Sequence, residues 1–258
     1  MLRPRITPCL LVHQGGLVKT VRFADPKYVG DPVNAVKIFN EKEADELIVV
    51  DIDATAENRE PNFRLISQIA VECRMPLCYG GGIKSVEHAK RIIGLGVEKI
   101  AISSAAIQNP ELAAAIAREI GSQSVVVVLD VKRKRWGSGY EVWTHNGKQN
   151  SKQAPIDLVA RAEQLGAGEI VVNSIDEDGR MAGYDLDLAH QVRQATRLPM
   201  TVLGGAGSLD HIQALIARCG VIGASAGSLF VFKGPYKAVL INYPTPTQKE
   251  ALIRAALG

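Results

Sequence analysis

The sequence predicts an α/β protein with a (β/α)8 TIM-barrel fold made of two duplicated half-barrels, and three observations support this prediction. The chain has 258 residues, which matches the roughly 250 residues typical of such barrels. Eight short apolar runs alternate with longer amphipathic segments, as expected for parallel strands covered by helices. Segments of the first half also recur in the second half, which indicates an internal duplication.

The composition limits the classes of function. Hydrophobic residues make up 47% and charged residues 22% of the chain, and the net charge is +3. These values are typical of a globular protein, and so small a charge does not favour nucleic acid as a partner. The sequence has no apolar run of the roughly 20 residues that a membrane span needs and no signal-peptide pattern. We therefore expect a cytoplasmic protein without nucleic-acid or membrane partners.

Neither the cysteines nor the histidines indicate a metal site. The four cysteines lack the spacing of metal ligands; they are Cys9, Cys73, Cys78 and Cys219. Reduced thiols are the expected state in a cytoplasmic protein. The five histidines likewise show no ligand spacing. We expect no metal and no bound cofactor.

Each expected strand is a short run rich in β-branched residues. The eight runs span residues 6–12, 46–51, 76–79, 99–102, 124–130, 169–173, 199–203 and 220–224. Capping side chains locate four helix starts. Asp31 and Asn109 each precede a proline at the first helical position, where the missing N–H costs nothing, and Ser85 and Ser208 open two further helices.

The alternation of strands and helices is interrupted at one place, after the fifth strand. Residues 136–148 alternate around an Asn146-Gly147 turn, which predicts an inserted hairpin. Insertions after barrel strands usually lie over the active face, so we expect this hairpin above the site. Residues 1–241 would then form the barrel, and residues 242–258 a linker and a helix that pack on the barrel or extend from it.

The duplication places similar glycine-rich turns in both halves of the chain. Residues 46–53 resemble 169–176, and residues 75–85 resemble 198–208. In each half a glycine run ends one strand, and small or hydroxyl residues end the next strand. Glycine lets the backbone approach an oxyanion, and the helix start that follows supplies N–H donors. We therefore predict two phosphate sites on opposite sides of the barrel mouth and a small-molecule substrate that carries phosphate at both ends.

Several motifs occur in an order that is typical of one family. They are Gly30-Asp31-Pro32, Gly80-Gly81-Gly82-Ile83, Asn109-Pro110-Glu111, Gly121-Ser122-Gln123, Gly166-Ala167-Gly168-Glu169-Ile170 and Asp178-Gly179. From about Arg3 to Phe232 the chain resembles the HisF family, the cyclase subunit of imidazole glycerol phosphate synthase. The resemblance implies that a HisH-type glutaminase partner, in a heterodimer, delivers ammonia through the barrel. The substrate would be a bisphosphorylated ribulosyl-formimino-aminoimidazole carboxamide ribonucleotide, and the products imidazole glycerol phosphate and aminoimidazole carboxamide ribonucleotide.

The resemblance also implies roles for individual residues. One phosphate would be held by Gly82, Ser103 and Ser104, and the other by Asp178, Gly179, Gly205, Gly227 and Ser228. Ser103 stands where the family pattern has asparagine. An ammonia gate at the barrel floor would consist of Arg5, Glu46, Lys99 and Glu169. The chain lacks the nucleophile motif of a glutaminase, which agrees with the need for a partner.

One expected catalytic group is missing. Family members use two aspartates at the ends of strands one and five; Asp130 is present, but Leu11 occupies the other position. Losing one acid–base group typically costs about 10²- to 10⁴-fold in rate. A replacement could be Asp53, its half-barrel equivalent Asp176, or Asp51. Alternatively, the chain is a paralogue that delivers ammonia for amidination of a nucleotide sugar in surface-polysaccharide biosynthesis, or it only activates a glutaminase.

Overall fold

Runs of aliphatic residues form the strands of a closed barrel in the computed structural model, which describes residues 3–258. The strands are β1 (Arg5–His13), β2 (Gly16–Val21), β3 (Ala24–Gly30), β4 (Leu47–Asp51), β5 (Leu77–Gly80), β6 (Lys99–Ile102), β7 (Val125–Arg133), β8 (Tyr140–Thr144), β9 (Gln149–Asn150), β10 (Glu169–Ser174), β11 (Met200–Leu203), β12 (Gly223–Ala226), β13 (Phe232–Lys233) and β14 (Ala238–Val239). Eight of them pair in parallel in the order β1, β4, β5, β6, β7, β10, β11 and β12, and β12 pairs back with β1. The predicted barrel fold is confirmed.

Helices separate the barrel strands and cover their outer face. They are α1 (Pro32–Glu41), α2 (Ile52–Ala56), α3 (Phe63–Glu72), α4 (Val86–Gly94), α5 (Ser104–Gln108), α6 (Pro110–Ile120), α7 (Pro155–Gln164), α8 (Leu186–Ala195), α9 (Leu209–Cys219), α10 (Ser228–Val231) and α11 (Pro246–Leu257). The side chains of Asp31, Ser85 and Ser208 cap their helices as expected. Asn109 precedes α6 but makes no capping hydrogen bond with its side chain; it also ends α5.

The last barrel strand begins later than the sequence pattern indicates. We expected residues 220–224, but β12 spans Gly223–Ala226. Gly220 instead ends α9, and its N–H donates to Ile216 O. The end of the predicted run thus does form a strand, whereas its first residues belong to the helix end and the connection.

Two large hairpins rise above the barrel, one more than the sequence analysis anticipated. The predicted hairpin after β7 consists of β8 and β9, with Asn146 and Gly147 in the turn at positive φ. A second hairpin, β2 and β3, follows β1, so the expectation of a single interruption was wrong. Its turn places Arg22 and Phe23 at positive φ, which usually requires glycine or asparagine. The sequence therefore lacks the usual signal for this turn.

Side chains of the barrel strands alternate between an outer core and the barrel interior. On β1, Leu10 and Val12 pack in the core between strands and helices, whereas Cys9 and Leu11 belong to the interior cluster. This alternation follows from the period of two in an extended strand. It places each inward residue on one of several levels between the barrel floor and the mouth.

The C-terminal segment is anchored to the start of the barrel. Tyr243 OH donates to Ile6 O at 2.6 Å and accepts from Asp45 N at 3.1 Å. Lys249 is buried, and its Nζ lies 2.6 Å from Asp45 Oδ1 and 2.9 Å from Glu43 O. Helix α11 packs against α9. Residues 242–258 thus include the predicted helix, which lies on the barrel surface.

The structure also bears on metals, thiols and membranes. All four cysteines are free thiols. In residues 3–258 no group of three His, Cys, Asp or Glu side chains is arranged to hold a metal ion. No helix in the same residues is both long and apolar enough to cross a bilayer.

We expect Lys249→Ala to lower the free energy of unfolding by roughly 3 kcal/mol, because it leaves the Asp45 carboxylate without its buried cation. The measurement is chemical denaturation followed by circular dichroism. The exposed Lys237 provides a control, since Lys237→Ala removes an equal charge outside the anchor. Equal stabilities for the two variants would contradict the role of the anchor.

Candidate active site

A cavity opens at the carboxyl ends of the barrel strands. All eight residues predicted to bind phosphate line it: Gly82, Ser103, Ser104, Asp178, Gly179, Gly205, Gly227 and Ser228. The three of the first group follow β5 and β6, and the others follow β10, β11 and β12. Because these two strand groups lie in different halves of the barrel, the structure places the two sets on separate parts of one wall.

The second predicted phosphate site has a cation that the sequence analysis missed. Lys19 lies on β2, is only 5% exposed and lines the cavity. Its Nζ donates to Cys9 O at 2.5 Å, and burial lowers its pKa. A Cβ on Gly227 would lie 2.7 Å from Lys19 Nζ, so glycine is what allows the ammonium group to lie against this turn. Lys19 was missed because the hairpin that carries it was not predicted.

Asp178 and Gly179 hold the β2–β3 hairpin over the cavity. Asp178 Oδ2 accepts from Thr20 Oγ1 at 2.8 Å and from Phe23 N at 3.3 Å. A Cβ on Gly179 would lie 2.0 Å from Thr20 O, so the two backbones meet at a distance that only glycine permits. Burial raises the pKa of Asp178. Since a carboxylate repels phosphate, these contacts favour an anchoring role for Asp178 over direct phosphate contact.

The β8–β9 hairpin lies over the opposite part of the mouth. Its turn residue Asn146 donates from Nδ2 to Ile52 O at 2.7 Å. His145 N donates to Ser104 Oγ at 3.1 Å. A Cβ on Gly147 would lie 3.4 Å from the Phe23 ring of the other hairpin. The two hairpins therefore meet and form a roof over the cavity.

Asp130 is a buried carboxyl group with two hydrogen-bond donors. Asn173 Nδ2 donates to Oδ1 at 3.0 Å, and Ser103 Oγ donates to Oδ2 at 3.4 Å. Burial raises the pKa of Asp130 to about 6, although both hydrogen bonds oppose the shift. A carboxyl group with a pKa near neutral pH is suited to general acid–base catalysis.

The three carboxylates considered as replacements for the missing aspartate, Asp51, Asp53 and Asp176, have different hydrogen-bond partners and different positions relative to the cavity. Asp51 lines the cavity, but its Oδ1 caps α2 by accepting from Asp53 N and Ala54 N, each at 3.0 Å. Asp53 accepts from His13 Nδ1 and from Gln14 N, both at 2.7 Å, and is not among the cavity-lining residues. Asp176 accepts from Arg133 N at 2.8 Å and also lies outside the lining. Only Asp51 is therefore placed to meet a ligand in the cavity.

Leu11 belongs to an apolar level of the cavity wall. With Val50, Val128 and Leu203 it packs on the interior cluster of the barrel, and all four line the cavity. The Leu11 side chain cannot accept a proton, so it cannot do the work of the expected carboxylate at this position. The site is consequently asymmetric, with Asp130 on β7 and aliphatic side chains on β1 and β4.

Four charged side chains close the barrel floor, and we call them the floor ring: Arg5, Glu46, Lys99 and Glu169. The Arg5 guanidinium lies 2.6 Å from Glu46 Oε2 and 2.7 Å from Glu169 Oε1. Lys99 Nζ lies 2.7 Å from Glu46 Oε1 and 2.8 Å from Glu169 Oε2. Burial alone would raise the pKa of Glu169, but the two cations hold it below its ordinary value. Two cations and two carboxylates thus neutralise each other in a closed ring.

The cavity reaches the level directly above the floor ring. Its deepest lining includes Ile48, Ala101 and Val171. Ala101 and Val171 each follow a member of the ring by two residues on the same strand, and Ile48 follows Glu46, the residue just before β4, by two residues; each therefore projects inward one level higher. The lowest level of the cavity wall is therefore apolar and lies directly above the ring.

The chain is similar to known proteins over most of its length. The chain matches the model of the family described as histidine biosynthesis protein over residues 5–236. A Leptospira borgpetersenii protein, provisionally named imidazole glycerol phosphate synthase subunit HisF, is 57% identical over 98% of this chain and 99% of its own length. A Vibrio vulnificus protein provisionally named subunit hisF3 is 55% identical over 97% and 96%. The imidazole glycerol phosphate synthase subunit HisF of Streptococcus sanguinis is 40% identical over 89% and 91%.

We expect Asp130→Asn to stabilise the protein at pH 8 by roughly 3 kcal/mol, because the pKa of Asp130 is raised by about two units and each unit is worth about 1.4 kcal/mol. The pKa of about 6 in the folded state exceeds the ordinary value of 3.8, so the wild-type protein loses stability as the pH rises from about 4 to about 6, and the amide avoids this loss. The gain should shrink as the pH falls towards 4. Thermal unfolding from pH 4 to 8 measures it, with the exposed Asp25→Asn as control. A gain independent of pH would contradict the assignment.

Proposed function

The chain belongs to the histidine biosynthesis protein family, and on that premise we propose that it is the HisF-type cyclase subunit of a glutamine-dependent imidazole glycerol phosphate synthase. A HisH-type glutaminase would bind at the barrel floor and release ammonia there. The bisphosphorylated ribulosyl-formimino-aminoimidazole carboxamide ribonucleotide would bind in the cavity. Ammonia would attack its ribulosyl carbonyl, and cleavage with ring closure would give the two imidazole products.

The observation that carries this proposal is the alignment of the cavity with the floor ring. The cavity has candidate phosphate-binding turns at two places on its wall and an apolar lower end that reaches the level above the ring. An apolar passage favours neutral ammonia over the ammonium ion, because burying an unpaired charge is costly. The geometry therefore suits a substrate held by two phosphates above a path for a small neutral nucleophile.

The chain's own groups would divide the chemistry as follows. Backbone N–H groups around Gly82 and Gly227, the hydroxyls of Ser104 and Ser228, and the Lys19 ammonium would hold the phosphates. Asp130 would transfer protons during imine formation and ring closure, which its pKa of about 6 permits near neutral pH. The roof of two hairpins would exclude water from the reactive intermediates.

A second candidate function is supported by Leu11. An aliphatic side chain lines the cavity at the position of the second expected acid–base group, and Asp51 is engaged as a helix cap. The chain is also more similar to the provisionally named relatives than to the Streptococcus sanguinis subunit. The alternative is that the barrel delivers ammonia to another phosphorylated acceptor, such as a nucleotide sugar that becomes an amidine.

The test of the first function uses the purified chain, an ammonium salt and the bisphosphorylated ribonucleotide. We expect turnover that is roughly 10²- to 10⁴-fold slower than with two acid–base groups, and Leu11→Asp should raise it towards the full rate. Product formation is followed by chromatography. Leu11→Asn, of similar size but unable to transfer a proton as a carboxylate does, is the matched control. If neither the chain nor Leu11→Asp forms either product, the cyclase function is wrong.

The floor ring yields a separate prediction in the complex with a HisH-type glutaminase. Lys99→Met leaves Glu46 and Glu169 with one cation, and we expect the ring to lose its closed form. Glutamine-dependent product formation should fall several-fold relative to ammonium-dependent formation, as measured by parallel assays. Lys90→Met removes an exposed lysine that pairs with Glu119 and should leave the ratio unchanged. An unchanged ratio for Lys99→Met would contradict the gate.

A further inference from the structure

The hairpin formed by β13 and β14 is exposed along its whole length. Residues 233–240 are all exposed. They include three large apolar side chains, Tyr236, Val239 and Leu240, which are 94%, 47% and 51% exposed. Large apolar side chains that are exposed together mark interaction sites. The proposed reaction uses none of these residues, so the hairpin needs a separate explanation.

One edge of this small sheet has unpaired backbone groups. Within residues 3–258 the strands β13 and β14 pair only with each other, antiparallel, with Phe232 opposite Val239. Leu240 N donates to Val231 O at 2.8 Å, so the alternation of an antiparallel ladder turns the N–H and C=O of Val239 away from β13. Such an edge is a template on which another strand can pair. The hairpin therefore offers main-chain hydrogen bonds as well as apolar contacts.

The charged side chains around the hairpin are all cations. Lys233 and Lys237 are exposed on the hairpin itself, and Nζ of the exposed Lys27, on the β2–β3 hairpin, lies 5.3 Å from the centre of the Phe232 ring. None of the three lysines forms an ion pair within residues 3–258. Residues 211–249 contain no Asp and no Glu. Electrostatic complementarity therefore requires an occupant that carries negative charge.

Charge and edge geometry distinguish between the possible occupants. A second copy bound about a two-fold axis would bring the same surface patch, and so the same lysines, against each other. Lysine and arginine clusters that bind anionic lipids contain about four to eight such residues, more than the three here. An extended acidic segment of another protein fits both observations, because strand addition uses the main-chain groups of a sheet edge.

We propose that the β13–β14 hairpin is the docking site of an acidic partner protein, which adds an extended segment to the edge of β14. Main-chain hydrogen bonds form with Val239. Apolar side chains of the segment cover Tyr236 and Leu240, and its carboxylates face Lys233 and Lys237. This inference goes beyond the proposed function and does not depend on which reaction the barrel performs.

The docking site lies on the mouth side of the barrel. The hairpin directly follows α10, whose Ser228 lines the cavity, and Lys27 connects it to the roof. The floor ring, where a glutaminase would bind, closes the opposite end of the barrel. An acidic partner at the hairpin and a glutaminase at the floor therefore do not compete for one surface.

A peptide titration tests the docking site. The probe is a capped octapeptide of alternating Glu and Val, and the control peptide has Lys in place of each Glu. Backbone amide signals of the ¹⁵N-labelled full chain are followed by nuclear magnetic resonance. We expect saturable shifts in the hairpin with the Glu–Val peptide only, and weaker binding at high salt because exposed charges are screened. Equal shifts with both peptides would overturn the proposal, and so would no shift with either, as expected if the lysines only protect the edge from pairing.

Charge-reversal variants provide the second test. Lys233→Glu combined with Lys237→Glu should weaken binding of the Glu–Val peptide roughly tenfold, because two attractions become repulsions. Lys37→Glu combined with Lys90→Glu changes the net charge equally at two exposed lysines of α1 and α4 and should leave binding unchanged. Equal affinities of the two double variants would contradict the docking site. Two further results would assign the surface to another occupant and overturn the proposal: a dimer in analytical ultracentrifugation that Leu240→Ser abolishes, or binding to phosphatidylglycerol vesicles without binding of the peptide.

Discussion

Side chains at alternate positions of eight parallel strands project into one closed barrel, and the site depends on this constraint. The same alternation that turns Leu10 and Val12 towards the helices turns Cys9 and Leu11 towards the axis. It stacks the charged floor, an apolar level and a polar mouth above one another. Because every level is built from several strands, a change of register in one strand would disrupt all three levels at once.

The floor ring shows how a buried charge cluster can remain stable. Each carboxylate removed from water carries a desolvation cost of several kcal/mol unless it is paired, and Glu46 and Glu169 each contact both cations. The ring is therefore closed in its stable form. If either Arg5 or Lys99 moved away, two ion pairs would break, and each carboxylate would keep one cation.

The sequence predicted the features that depend on local patterns, whereas it missed those that depend on distant contacts. Apolar runs identified the eight strands, and the Asn146-Gly147 turn identified one hairpin. The β2–β3 hairpin was missed because its turn consists of Arg22 and Phe23 at positive φ, and Lys19 was missed with it. Asp53 and Asp176 were reasonable by position, yet hydrogen bonds to His13 and Arg133 hold them outside the cavity. No sequence spacing indicates that Asn173 contacts Asp130, since 43 residues separate them.

We propose that nitrogen enters the barrel from below and reaches a substrate held in the cavity. An isotope competition tests it most directly: the complex with a HisH-type glutaminase receives amide-¹⁵N-glutamine, unlabelled ammonium in excess and the bisphosphorylated ribonucleotide. Mass spectrometry then measures ¹⁵N in imidazole glycerol phosphate. If ammonia passes through the barrel, we expect the ¹⁵N fraction of the product to lie far above the ¹⁵N fraction of the bulk ammonium. Product with the isotope ratio of the bulk pool would contradict the claim.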